Sequence, residues 1–420
     1  MKVLWITNLI FPAPSKELGI PIPSFGGWMF SLFQDLQNSQ IEIAVASIYH
    51  GKEFRSMTID QVDYYLIPNH INKPNSPELE EMWKKVYHHF RPDLVHLHGS
   101  EYPHGYVFTS VFPEAKFVVS IQGLVSVYEK YYKSGLSNLE ILFNISFYDI
   151  VRNASIFQGR KLFEKKGQIE KELIRKSKHV IGRTNWDAVH VKTLNPLVHY
   201  HFCNESLRVP FYQAEKWSNS SCFRYSIFLS QASYPIKGLH QVIKAIALLK
   251  EEFPLIKINV AGSNIIQRKS FLEKIKFTGY GKYIGKLVRQ HGLENHLSFL
   301  GILDTDNMVK AYQNANVFIC PSSIENSPNS VGEAQLLGVP TIASYSGGVP
   351  DMIKDGESGL LYRFEEVEML ADCIRRIFND QALSSKLSEG GIEIASFRHN
   401  RSENLQNMMK IYSQIWNEGN

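Results

Sequence analysis

The sequence predicts an α/β protein built from two Rossmann-like parallel-sheet domains. Three observations carry this. The chain has 420 residues, more than one domain usually holds. Short apolar runs alternate with longer segments in which apolar residues recur at the helical period. Those runs end in polar or glycine-containing loops, and open α/β sheets bind ligands at the carboxyl ends of their strands.

Composition narrows the function classes. Hydrophobic residues make up 44% and charged residues 20%, ordinary values for a folded protein with a sizeable core. The net charge of +4, from 45 basic and 41 acidic residues, is too mild to indicate nucleic acid as a partner. Cys203, Cys222, Cys320 and Cys373 form no C-x-x-C pair, so the spacing indicates neither a zinc site nor a disulfide framework. The opening MKVLWITNLI enters a strand directly, unlike a secretory leader, and no apolar run approaches the ~18 residues of a membrane span. The expected place is the cytoplasm, with peripheral contact on the inner face of the cell membrane as a further expectation.

The amino-terminal half begins with a strand over 2–7. A loop with Pro12, Pro14, Pro21 and Pro23 follows, ending in Ser24-Phe25-Gly26-Gly27 before a helix over 28–36. The Gly pair lets backbone approach a ligand closely, yet it is not the G-x-G-x-x-G fingerprint of a nicotinamide enzyme. Strands are predicted over 41–48, 62–68, 93–97, 116–121 and 178–182, with a helix over 77–90. His96 and His98 fall on one face of their strand, but with no third ligand in view they do not make a zinc site. His98, Glu101 and His104 lie at that strand's end and are the candidates to contact an acceptor, although a capped turn explains them equally well. Gln122 and Gly123 end the next strand.

The segment 128–163 is rich in aromatics, and 160–178 carries eight basic against three acidic residues. A cationic amphipathic helix beside an aromatic patch suits peripheral contact with an anionic membrane through 128–178. The alternative is a helix with one solvated face and one in the core. After Arg183 and Thr184 a helix starts at Asn185.

The polar, aperiodic stretch 213–221 (QAEKWSNSS) is the expected linker, dividing an acceptor-side domain over 1–212 from a second domain over 213–399. The second domain opens with a strand over 225–229. A loop carrying Gln231 leads to Lys237-Gly238, and Leu239, Val242, Ile243, Ile246 and Leu249 then recur at helical spacing. Strands over 256–261 and 297–300 end in Gly262 and Gly301. Asp304 reads as a helix cap, since Met308, Val309 and Tyr312 continue at helical spacing. Helices are expected over 369–378 and 381–395, and a last amphipathic one over 400–420.

The richest stretch runs from Cys320 to Met352. A buried strand (316–320) breaks at Pro321, a polar loop runs through Asn329, and residues 330–337 favour a helix that Gly338 and Pro340 stop. A strand over 340–343 and the Gly347-Gly348 turn follow. Glu325 precedes this helix and Glu333 lies one turn inside it. Asn329 and Ser330 start it, where backbone N–H groups and the positive dipole end suit a phosphate. One ligand could therefore bond Glu325 through a sugar hydroxyl, rest a diphosphate on the helix start, and bond Glu333 through a ribose.

The spacing of Glu325 and Glu333 resembles the E-x₇-E motif of the retaining glycosyltransferases of family 4, in particular bacterial polysaccharide-biosynthesis members. The frame matches as well: PSS before the first Glu, GEA at the second, then GVP and GGVPDMI–DG–SG. The likeness spans most of the chain and is strongest over 230–362. It implies the glycosyltransferase-B fold, two domains facing across a cleft, with the last helix crossing back to the first domain. It also implies transfer of a sugar from a nucleotide-diphosphate sugar, UDP-sugar weakly favoured, to a hydroxyl of a glycan or lipid-linked glycan. No cofactor or metal is implied.

By the same resemblance Gly26 and Gly27 admit the donor diphosphate, Lys237 neutralises it as it leaves, Gly262 lies on a base-binding loop, and Gln122 and Gln231 occupy donor-site positions. The sequence departs from the pattern twice. Gln122 stands where many members have a His, and Gln231 and Ala232 stand where an Arg is usual. Arg183 and Arg208 are the candidates to supply that second cation. These departures leave two alternatives open: a sugar-nucleotide epimerase or hydrolase of the same fold, and a catalytically inactive nucleotide-sugar-binding protein.

Overall fold

The computed structural model describes residues 1–23, 26–266 and 277–418. Ser24 and Phe25, expected to end the proline-rich loop, and the last two residues of the 400–420 helix lie outside them. Packing divides the chain into two compact units, Met1–Val127 with Glu164–Ser206 and His399–Asn420, and Tyr128–Phe163 with Leu207–Arg398.

The first unit holds an eight-stranded sheet among the described residues: β1 (Lys2–Thr7), β2 (Glu42–Tyr49), β3 (Arg55–Ile59), β4 (Val62–Pro68), β5 (Leu94–His98), β6 (Phe117–Ser120), β7 (His179–Gly182) and β8 (His199–Phe202). Their order is β3-β4-β2-β1-β5-β6-β7-β8. β1, β2 and β5 are buried almost throughout, as strands covered on both faces must be, and they pair in parallel. β3 differs. It is polar and largely exposed, and it pairs antiparallel with β4 through a two-residue turn whose Asp60 and Gln61 both have positive φ. Helix Arg401–Asn417 buries Met408, Ile411, Tyr412 and Ile415 against this unit's core. There the Trp5 indole N–H donates to the Tyr412 hydroxyl at 3.0 Å, and His96 Nδ1 meets the same hydroxyl at 2.6 Å.

Among the described residues the second unit holds six parallel strands: β9 (Phe223–Leu229), β10 (Lys257–Val260), β11 (Leu297–Phe299), β12 (Ala315–Cys320), β13 (Thr341–Ser344) and β14 (Leu360–Tyr362). Their order is β11-β10-β9-β12-β13-β14.

The segment Tyr128–Phe163, placed by its sequence position in a 1–212 domain, packs with this unit. Leu136 and Ile141 enter its core, Asp149 accepts the Gly279 N–H at 2.8 Å, and the Tyr283 hydroxyl donates to Glu140 at 3.2 Å. The stretch expected as linker also has an anchor here. Trp217 is 7% exposed, its amide donates to the Leu337 carbonyl at 2.7 Å, and its indole donates to the Ala315 carbonyl at 2.8 Å. A buried Trp with both N–H groups satisfied pins a segment that its polar composition alone makes look free.

Candidate active site

Strand order in the second unit creates a switch point. The chain leaves β9 toward β10 and β11 on one side, and returns as β12 on the other. The loops after β9 and β12 therefore diverge at neighbouring strand ends and leave a crevice, the usual ligand position in open α/β sheets. Lys237 follows β9 and Glu325 follows β12.

Backbone contacts lock both loops. Lys237 ends a 3₁₀ turn, Pro235–Lys237, and the Ser323 amide donates to the Ile236 carbonyl at 2.8 Å. Gly238 has φ of +69°, and a Cβ there would lie 1.8 Å from the Pro321 carbonyl oxygen, so only glycine fits. On the other side the Gly348 amide donates to the Glu325 carbonyl at 2.9 Å, and a Cβ on Gly347 would lie 1.9 Å from that oxygen. Lys237 Nζ then reaches Glu325 Oε1 at 2.5 Å, with side-chain exposures of 18% and 11%. Burial works against the Lys237 charge, but Glu325 and Tyr234 outweigh it and raise the ammonium above its ordinary value. Cys320 at the end of β12 is buried, and its thiol is pushed up to about 12, so it is no nucleophile at neutral pH.

Helix Asn329–Leu337 starts behind Pro328, which supplies no side-chain cap, and Asn329 and Ser330 form its first turn. Glu333 is buried one turn in. Its Oε1 accepts from Arg208 Nε at 2.9 Å and Nη2 at 2.7 Å, and the Tyr312 hydroxyl donates to Oε2 at 3.4 Å. Burial pushes this carboxyl above its ordinary value, against the lowering effect of Arg208 and Tyr312. Arg208 also lies over the Phe211 ring at 4.8 Å. Arg208 and Tyr312 are the residues that motif spacing does not reveal. The only sequence signal was the missing cation near Gln231, for which Arg208 was one candidate; the structure pairs Arg208 with Glu333. Gln231 is exposed just past β9, and the Gly262 amide donates to the Gly301 carbonyl at 2.7 Å, tying the loops after β10 and β11 together.

The first unit has its own switch point, between β1 and β5. Gly26 caps helix Gly27–Gln37 in the loop after β1, and His98 and Glu101 close β5 and its loop. Asn8 Nδ2 donates to the Tyr102 hydroxyl at 2.6 Å, joining the two loops. His98 is buried, stacked on His96 at 3.9 Å and beside Trp5 and Trp28, and burial holds its imidazole neutral, well below its ordinary value. Glu101 is half-buried, and desolvation raises its carboxyl. His104 is 1% exposed, stacked under Tyr102 with Asn72 at 3.4 Å, so it supports the loop and does not face a ligand. Gln122 Nε2 donates to Glu205 at 3.2 Å, Arg183 forms an ion pair with Glu205, and Arg183 Nη2 donates to the Gln122 carbonyl at 3.0 Å. Arg183 thus has local partners in its own unit.

The expected cap at Asp304 is present and accepts the Asn307 amide at 2.8 Å. Among the described residues no group of three or more His, Cys, Asp or Glu is placed to hold a metal ion, and no helix is long and apolar enough to cross a membrane.

The second unit thus carries acidic and cationic groups at the switch point of an open parallel α/β sheet, the usual ligand position of such sheets. Residues 215–394, within the second unit, match the family described as Glycosyl transferases group 1. The D-inositol 3-phosphate glycosyltransferase of Corynebacterium urealyticum is 25% identical over 186 residues, 43% of this chain and 41% of that protein. The capsular polysaccharide biosynthesis glycosyltransferase CapM of Staphylococcus aureus is 25% identical over 155 residues, 37% of each. The chain thus spans less than half the length of these curated relatives. Over 99% of both chains it superposes on a sucrose-phosphate synthase from Thermosynechococcus elongatus, with a TM-score of 0.73 and 16% identity. Anabaena HepE in complex with UDP gives a TM-score of 0.66 and 16% identity, covering 99% of this chain and 100% of that one. The architecture is the glycosyltransferase-B fold.

Proposed function

We propose that this protein is a retaining glycosyltransferase. It moves a sugar from a nucleotide-diphosphate sugar, UDP favoured, to a hydroxyl of a glycan or lipid-linked glycan in polysaccharide synthesis. The observation that carries the reading is the pairing of Lys237 with Glu325 at the β9–β12 switch point, ahead of a helix whose N-cap residue offers no side chain. Cleavage of the sugar–phosphate bond leaves extra negative charge on the diphosphate. A buried ammonium and a helix amino terminus stabilise that charge most where it is largest, in the transition state. Glu325, already beside Lys237, is in place to accept a hydroxyl of the transferring sugar. Glu333, oriented by Arg208, is in place to accept a ribose hydroxyl.

In this reading the acceptor attacks on the face from which the phosphate leaves, and the departing phosphate takes its proton, so no protein nucleophile and no metal is required. The UDP complex of HepE and the capsule role in the name of CapM support the donor and acceptor classes. Four buried, unbridged cysteines agree with a reducing, cytoplasmic setting.

The test is incubation with a panel of nucleotide sugars, with and without lipid-linked and free glycan acceptors. Acceptor-dependent nucleotide release supports transfer. Acceptor-independent turnover supports an epimerase or hydrolase. A rise in melting temperature without turnover supports a binding protein.

A further inference from the structure

In the second unit two short consecutive helices are turned inside out. On helix Asn138–Phe143 the residues Leu139, Leu142 and Phe143 are 64%, 53% and 75% exposed. On helix Phe147–Arg152 the residues Phe147, Ile150 and Val151 are 71%, 71% and 62% exposed. Each triad has the i, i+3, i+4 spacing of one helix face, the pattern that ordinarily marks the buried side. The polar residues point inward instead. Asp149 is 3% exposed, accepts the Ser146 amide at 3.0 Å to close a capping box, and accepts the Gly279 amide at 2.8 Å. Glu140 closes a second capping box with Ser137 and accepts from Tyr283. The helices cannot simply roll over, because doing so would break the Asp149–Gly279 and Glu140–Tyr283 bonds and carry the buried Asp149 away from its partner.

Among the described residues, cations border this apolar face. Helix Gly279–His291, on which both short helices dock, carries Lys282, Lys286 and Arg289 on its exposed side at i, i+4, i+7 and no acidic residue. Lys282 Nζ donates to the Phe143 carbonyl at 3.3 Å, so this basic row borders the apolar triads, and exposed Arg152 ends the second short helix. Of the nearby carboxylates, Asp149 is buried and bonded, and the partly exposed Glu140 is engaged by Ser137 and Tyr283. Single exposed apolar residues are ordinary, but six on two adjacent fixed helices with a cationic border are not.

We infer that this face docks on an anionic lipid bilayer, with Phe143, Phe147 and their neighbours entering the acyl–headgroup boundary and the Lys282–Arg289 row meeting lipid phosphates. The inference does not rest on the transferase reading, since lipid binding is read without turnover.

The experiment is flotation of the full chain with vesicles of phosphatidylcholine, with and without phosphatidylglycerol, at low and high salt, beside light scattering of the protein alone. The expected result is association that requires phosphatidylglycerol and weakens with salt. Phe143→Ser with Phe147→Ser lowers the partition coefficient at least ~10-fold, because two largely exposed rings no longer leave water. Lys282→Gln and Lys286→Gln lower it about 5-fold each. Both sets keep the wild-type melting temperature and the wild-type turnover of a soluble donor. Absence of association, or association indifferent to the Phe pair, overturns the inference. A dimer that the Phe pair disperses also overturns it, assigning the face to a second copy.

Discussion

Replacing Lys237 by methionine keeps the stem and removes the charge. Two consequences differ in kind. In the free protein Glu325 loses the ammonium at 2.5 Å while staying largely buried. Breaking a fully buried pair costs ~3–5 kcal/mol, and the residual exposure of both side chains brings this to about 2–3 kcal/mol of folding stability. In the reaction, the diphosphate loses a preorganised donor, which costs ~100- to 1,000-fold in turnover. Glu325→Gln in the same background separates the two, because it removes the stranded charge but supplies no cation. The double variant should regain most of the lost stability and none of the turnover. The assay pairs denaturant unfolding with nucleotide release, using the donor that most raises the melting temperature. Near-wild-type turnover in Lys237→Met would refute the phosphate role. Recovery of turnover together with stability in the double variant would reduce Lys237 to a structural partner of Glu325.

Glu333→Ala should weaken nucleotide binding ~10-fold or more, since a charge-assisted bond is lost and Arg208 is left without its carboxylate; titration calorimetry with UDP reads this. Gly238→Ala should cost about 3 kcal/mol or more, because its Cβ would overlap the Pro321 carbonyl at positive φ, and thermal unfolding shows it. Glu170 is fully buried, and burial raises its carboxyl to about 7, although Ser100, Val125 and Ser126 all donate to it. A folded-state value above the unfolded ~4.5 gives stability that is fully present below pH ~4.5 and is lost as pH rises through 7, by roughly 3 kcal/mol in all. Unfolding free energies at pH 5 and pH 8 should show that loss in the wild type and a smaller one in Glu170→Gln. Chelator should leave turnover unchanged; loss restored by magnesium or manganese would refute the metal-free reading.

The sequence by itself determined the alternation of elements, because apolar period distinguishes a buried strand from an amphipathic helix. Helix Pro77–Phe90 falls at the predicted bounds, and the predicted strands of both sheets shift by a few residues at most. It also placed Glu325, Glu333 and the helix start close together along the chain, since the two carboxylates lie only eight positions apart. The stripe through Met408 and Tyr412 marked the last helix as a packing helix.

What lay beyond its reach depends on long-range pairing. Lys237 meets Glu325 across 88 residues because β9 and β12 became neighbours at a switch point, and Arg208 meets Glu333 across 125 because helix Val209–Gln213 packs on helix Asn329–Leu337. Strand order is set by how the helices cover the sheet, and no local pattern encodes it. Edge strand β3 escaped notice because an exposed polar strand has no apolar period to show. His104 looked like a ligand-facing residue and is instead buried under Tyr102, since residue type does not reveal which way a loop turns. The inverted helices of 138–152 make the same point. Their apolar spacing does not tell which way it faces, and the long-range Asp149–Gly279 and Glu140–Tyr283 bonds hold it outward.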